Sequence, residues 1–88
     1  MPYIKQEQRE NFNDTLIELA QTRDCCPLSA GDYTYLFYAA GLIFIGENKS
    51  YEHISSVIRC LTDAAYEIRR RKLNPHEDKK IIENGDIL

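Results

Sequence analysis

Between Tyr33 and Ile45 the chain is apolar or aromatic at every position but Thr34 and Gly41. On a helix, Tyr33, Leu36, Phe37, Ala40, Ile43 and Phe44 share one face at the i, i+3, i+4 spacing. Tyr35, Tyr38, Leu42 and Ile45 occupy the opposite side and are equally apolar or amphipathic. A helix that is apolar all round has to be covered on all sides, within its own subunit or between subunits. The β-branched and aromatic run Leu42-Ile43-Phe44-Ile45 would also suit a strand, but a lone strand finds no pairing partner here. Thirteen helical residues span about 20 Å, short of the roughly 30 Å hydrocarbon core of a bilayer. This segment therefore predicts a helix at a core centre or an interface, not a membrane span.

Its neighbours are helical too. From Lys5 to Phe12 the chain is charged, Asn13 and Asp14 offer caps, and Leu16, Ile17, Leu19 and Ala20 form a short apolar stripe. This reads as one broken helix over about 5–22, with a kink or restart near Asn13. Pro27 and Gly31 mark a loop, after which Asp32 can cap a helix over about 32–46 that Gly46 ends. Ser50 caps a third helix over about 51–72, on which Ile54, Val57, Ile58, Leu61, Ala64, Ala65 and Ile68 keep a steady helical rhythm. Pro75 stops this helix or starts a new turn, leaving a short C-terminal helix or turn over about 75–83. The expectation is an all-α, small three-helix domain occupying residues 1–88.

A chain of 88 residues hides only about 60–65% of its unfolded surface. Cores this small seldom supply more than about 3–5 kcal/mol without a staple or partner, so a homo-oligomer is expected. We assign the side that the subunit's other helices do not cover, around Tyr35, Tyr38, Leu42 and Ile45, to that interface. A hydrophobic content of 43% with 28% charged residues argues against disorder. The net charge of −3 provides no basic field for non-specific nucleic-acid binding. The charged N-terminus lacks a signal-peptide core. Cys25 and Cys26 are adjacent, a spacing at which a disulfide strains the intervening peptide, and Cys60 makes the count odd. A reduced cytoplasmic setting is expected.

No motif specifies a reaction. Arg69-Arg70-Arg71-Lys72 is the one dense basic run. It suits the negative end of a helix dipole, and at a subunit seam it could hold an anion. The tail acids Glu77, Asp78, Glu83 and Asp86 could dock against these arginines, and Glu67 can pair with Arg71 four residues on. The tail lacks the oxygen spacing of a calcium loop, so neither a metal nor a cofactor is expected. His53 and His76 lack partners at ligand spacing, and Cys60, expected to be half-buried, has no histidine nearby to activate it. Two pairs, Glu7 with Glu10 and Asp63 with Glu67, have the spacing with which helical carboxylates bind magnesium.

Several stretches carry a resemblance. Met1-Pro2-Tyr3-Ile4-Lys5, Gly31-Asp32-Tyr33 with Tyr35, and Glu77-Asp78-Lys79-Lys80-Ile81 with Glu83-Asn84-Gly85-Asp86-Ile87 resemble a family of small proteins from bacteriophages and bacterial genomes. Ile68 stands where that family usually has an aromatic residue, and His76 where it has a tyrosine; the Cys25-Cys26-Pro27 loop also departs from its pattern. The resemblance implies a phage or prophage context and a cytoplasmic protein, and it carries no activity. The chain is expected to be a non-enzymatic binding protein that engages a host protein or sequesters a small anionic or nucleotide ligand. Arg69, Arg70, Arg71, Glu77, Asp78 and Asp86 form its ligand-binding region. The alternatives are a metal-dependent all-α nucleotide pyrophosphohydrolase using Glu7, Glu10, Asp63 and Glu67, and a structural phage component.

Overall fold

A computed structural model describes residues 3–86; Met1 and Pro2 of the opening motif and Ile87 of the closing one lie outside the described residues. The architecture is all-α, with three helices of 20, 16 and 34 residues. Helix α1 covers 6–25 and is broken as its sequence suggested: Gln6–Arg9 is α-helical, Glu10–Phe12 tightens into a 3-10 turn, and Asn13–Cys25 resumes the α-helix. Phe12, at φ −112° and ψ 4°, is the joint.

Helix α2, Ala30–Ile45, starts two residues earlier than the Asp32 cap implied. Ser29 is the cap. Its Oγ accepts the Asp32 N–H at 3.2 Å, and the Asp32 carboxylate accepts the Ser29 N–H at 2.8 Å. This reciprocal capping box satisfies two N–H groups at once. Gly46 ends the helix at φ 59° and ψ −136°, a region that side chains other than hydrogen rarely enter.

Helix α3 runs 51–84 without a break. Ser50 caps it as expected, accepting the His53 N–H at 3.2 Å. Pro75 neither stops the helix nor opens a separate one. Having no N–H, and with a ring that crowds the carbonyl four residues back, it is accommodated by a π turn over Arg69–Leu73. There the Asn74 N–H reaches back five residues to the Arg69 carbonyl. The final segment, Asn74–Asn84, continues the same rod. A 34-residue helix is about 51 Å long, which accounts for the 50 Å long axis of the molecule.

Helix α2 folds back on the first part of α3, the most extensive contact between separate helices among the described residues. Gly41 is the buried residue at the crossing; a methyl group there would sit 3.3 Å from Leu61 Cδ1. Leu36, Ala40 and Ile45 of α2 and Ile54 and Val57 of α3 are half-buried around it. His53 adds a polar tie, its Nε2 lying 3.2 Å from the Phe44 carbonyl oxygen. Because that oxygen only accepts, Nε2 carries the proton in this contact. The partition of α2 thus differs from the helical-wheel reading. Ile45 is half-buried, whereas Ile43 and Phe44, assigned to the inner face, are exposed. The approach of α3 at Gly41 selects the side of α2 that is covered.

No hydrophobic residue among those described is fully buried. The radius of gyration is 16.8 Å, against about 12 Å for a compact domain of this length. The chain exposes 8288 Å², whereas a folded monomer of 10.2 kDa exposes about 5,300 Å². The difference, about 3,000 Å², is the surface that packing within one subunit would ordinarily remove.

Candidate functional site

The basic run 69–72 lies inside α3, twelve residues before its end and not at the negative end of the helix dipole, and it is organised by a residue that linear spacing did not single out. Tyr3, just before α1, donates its hydroxyl hydrogen to Glu67 Oε1 at 2.8 Å and accepts from Arg71 Nη1 at 3.0 Å. Arg70 Nε donates to both Glu67 oxygens, at 3.0 and 3.2 Å. The expected Glu67–Arg71 pair is therefore replaced by a Glu67–Arg70 pair, because the Tyr3 hydroxyl stands between Glu67 and Arg71. The Glu67 side chain is 19% exposed against 64% for Arg70. Hydrogen bonds from Arg70 first and Tyr3 second hold the Glu67 carboxyl below the usual carboxylate range, and the same pairing raises the Arg70 guanidinium above its usual value.

Beside this cluster lies an open depression of about 400 Å³ lined by Tyr3, Glu67, Ile68, Arg71 and Lys72. Arg69 points to a different hollow, with Thr62, Ala65, Tyr66, Ile68 and Leu73. The arginines thus diverge around the helix, as successive residues must. Helix α3 carries Glu77 and Asp78 onward past Pro75, and neither forms an ion pair with Arg69, Arg70 or Arg71. Glu83 lies 3.6 Å from Lys80 instead. Docking of these acids on the arginines required the chain to turn at Pro75, and the π turn removes that bend. Asp86 follows Gly85 at the end of the described residues.

Among the described residues no group of three or more His, Cys, Asp or Glu side chains is placed to hold a metal ion. Glu7 and Glu10 are exposed on α1, Asp63 is exposed on α3, and Glu67 is engaged by Tyr3 and Arg70. The cysteines are free thiols, with Cys25 and Cys26 sulfurs 3.8 Å apart. Cys60 is exposed, not half-buried. No helix among the described residues is long and apolar enough to cross a membrane.

The other candidate is apolar. Tyr35, Tyr38 and Leu42 are exposed on α2 and Ile45 is half-buried. Two grooves flank the α2–α3 pair. Phe44, His53, Val57, Cys60, Leu61 and Ala64 line one. The larger, about 440 Å³, is lined by Thr34, Phe37, Tyr38, Leu61, Ala64, Ala65 and Ile68. On α1, Leu16, Ile17 and Leu19 are 57, 54 and 54% exposed.

These features define an all-α chain with one extensive helix-on-helix contact among the described residues, a tyrosine-clamped basic run and large exposed apolar side chains. It belongs to a family described as a domain of unknown function (DUF6899), whose model matches residues 1–87. No curated protein and no solved structure matches the chain.

Two residues that the sequence reading passed over carried signals. Ser29 stands three positions before Asp32, the capping-box spacing. Gly41 is an isolated glycine inside a helical pattern, which marks a close approach. Tyr3 had no such signal, since its partners lie more than sixty residues away.

Proposed function

We propose that this protein is a non-enzymatic binding module of phage or prophage type that works as a homo-oligomer in the bacterial cytoplasm. The supporting observation is the roughly 3,000 Å² of surface beyond that of a compact monomer, on a chain that leaves many large aromatic and aliphatic side chains exposed. Soluble monomers rarely display apolar patches larger than a few hundred Å². Covering the rest with further copies leaves a rigid helical particle whose outer features engage a host protein or a small ligand.

The basic run favours an anionic ligand. Arg71 and Lys72 line an open depression, and in an oligomer, cations from several chains can converge on one phosphate. Arg69 and Arg70, with Glu77, Asp78 and Asp86 further along, complete the region to be probed.

Light scattering should return a mass above 10.2 kDa. Thermal shift with a nucleotide panel, with and without magnesium, then tests the ligand. Stabilisation without metal or turnover, lost in Arg71→Ala, supports sequestration. Turnover abolished by Glu10→Gln and Asp63→Asn would replace this reading with a metal-dependent nucleotide hydrolase. If no nucleotide binds, a pull-down from host lysate distinguishes a host-protein binder from a structural component.

A further inference from the structure

We infer that two copies of this chain exchange their α1 helices. In each copy the stripe Leu16, Ile17 and Leu19 seats in the other copy's α2–α3 groove, formed by Phe37, Tyr38, Ala64, Ala65 and Ile68. The inference rests on the oligomeric reading above and names the surfaces that meet.

Three observations lead to it. First, both surfaces are present in one chain and neither is covered there. The α1 stripe is more than half exposed, the groove is open, and Asn13–Cys25 makes no extensive contact with α2 or α3. A pair of complementary uncovered faces on the same subunit is what a two-fold, isologous association needs.

Second, the linker between α1 and α2 is short and extended, and among the described residues only the Tyr3 hydrogen bonds before α1 tie the far end of α1 to the same chain's α3. Only four residues, Cys26 to Ser29, join α1 to α2. Both ends of this stretch are extended, with Cys26 at φ −162° and ψ 158° and Ser29 at φ −85° and ψ 170°, and Pro27 stiffens it. By contrast, the α2–α3 connection contains Gly46 at positive φ and folds its helices together. A short hinge that leaves an element off its own subunit's groove favours exchange with a second one.

Third, the area suffices. Obligate interfaces bury about 2,000–5,000 Å² or more in total, and the surplus of about 3,000 Å² per chain reaches that range for an intertwined pair.

The test joins light scattering to isotope-coded photo-crosslinking. Unlabelled chains carrying a photo-crosslinking side chain at Leu19, and separately at Leu16, are mixed in denaturant with 15N-labelled unmodified chains and refolded. Trypsin cuts after Arg59 and Arg69, releasing residues 60–69, which include Leu61, Ala64, Ala65 and Ile68. The expected result is a mass at least twice 10.2 kDa, with crosslinks joining the unlabelled α1 peptide to the 15N form of residues 60–69. Ala64→Arg should abolish those crosslinks and the doubled mass while leaving the helical circular dichroism in place. A multimer whose α1 crosslinks stay within the unlabelled chain, or map to another surface, would overturn the exchange and leave the oligomeric reading standing. A mass of 10.2 kDa for the unmodified protein would overturn both.

Discussion

Helix α1 and the α2–α3 hairpin carry similar apolar side chains but use them differently. In the hairpin, the short contact at Gly41 lets two helices approach, and half-buried aliphatic residues gather around it. In α1, Leu16, Ile17 and Leu19 have comparable hydrophobicity but no covering helix in the same subunit. Hydrophobic pattern alone therefore does not place a helix in a core. A close-approach residue and a connection that turns back are also needed. The hairpin has both, whereas α1 is held by hydrogen bonds from Tyr3, just before it, and continues into an extended linker.

The largest test of this contrast is Leu19→Ala. If α1 is covered in the assembled protein, each buried leucine lost there costs about 2–5 kcal/mol, and the melting temperature should fall and depend on protein concentration. If α1 stays uncovered, thermal melts of Leu16→Ala and Leu19→Ala should overlay the parent. Gly41→Leu probes the other side of the comparison. Forcing a side chain against Leu61 should cost about 1–3 kcal/mol, read as a lower urea midpoint.

Removing a cap should have a smaller effect. Ser29→Ala breaks the capping box with Asp32 and should destabilise by about 1 kcal/mol, measured by the same denaturation. Tyr3→Phe deletes the hydroxyl between Glu67 and Arg71. Its main effect should be faster amide exchange in residues 6–12, with little change in the hairpin.

Acid titration is the gentlest probe. Glu67 and Asp32 both have carboxyls held below the usual range, by Arg70 with Tyr3 and by Ser29 respectively. A carboxyl depressed in the folded state contributes its full stability above the unfolded-state pKa and loses it as pH falls through the folded one. Stability should thus be flat near neutrality and decline once pH drops below the ordinary carboxylate range. Glu67→Gln should shrink that decline.

Much of the fold was legible in linear order because its signals are local. Ser50 capping α3, the break near Asn13 and the end of α2 at Gly46 all follow from residues within one or two turns of each other. Pro75 was legible as a disturbance but not as to its outcome. A proline imposes a missing hydrogen bond, and whether the chain turns or widens into a π turn depends on what the flanking helix gains by continuing. At the candidate site, Arg69, Arg70 and Arg71 were recognisable as a run, but their division of labour was not. Tyr3 reaches them through space from the other end of the chain, and it redirects Arg71 away from Glu67.

The sequence by itself determined that this protein is all-α, where its helices start and where α1 and α2 end to within about three residues, and that α2 is apolar on every side; it did not determine that α3 runs through Pro75 to Asn84. Those properties depend on backbone propensity, capping and periodicity, which act over a few residues. Tertiary structure decided which side of α2 meets α3, that Glu67 pairs with Arg70, and that α1 stands uncovered in the subunit. Those outcomes depend on how closely two backbones approach and which way a linker leaves a helix, and spacing along one strand of sequence records neither.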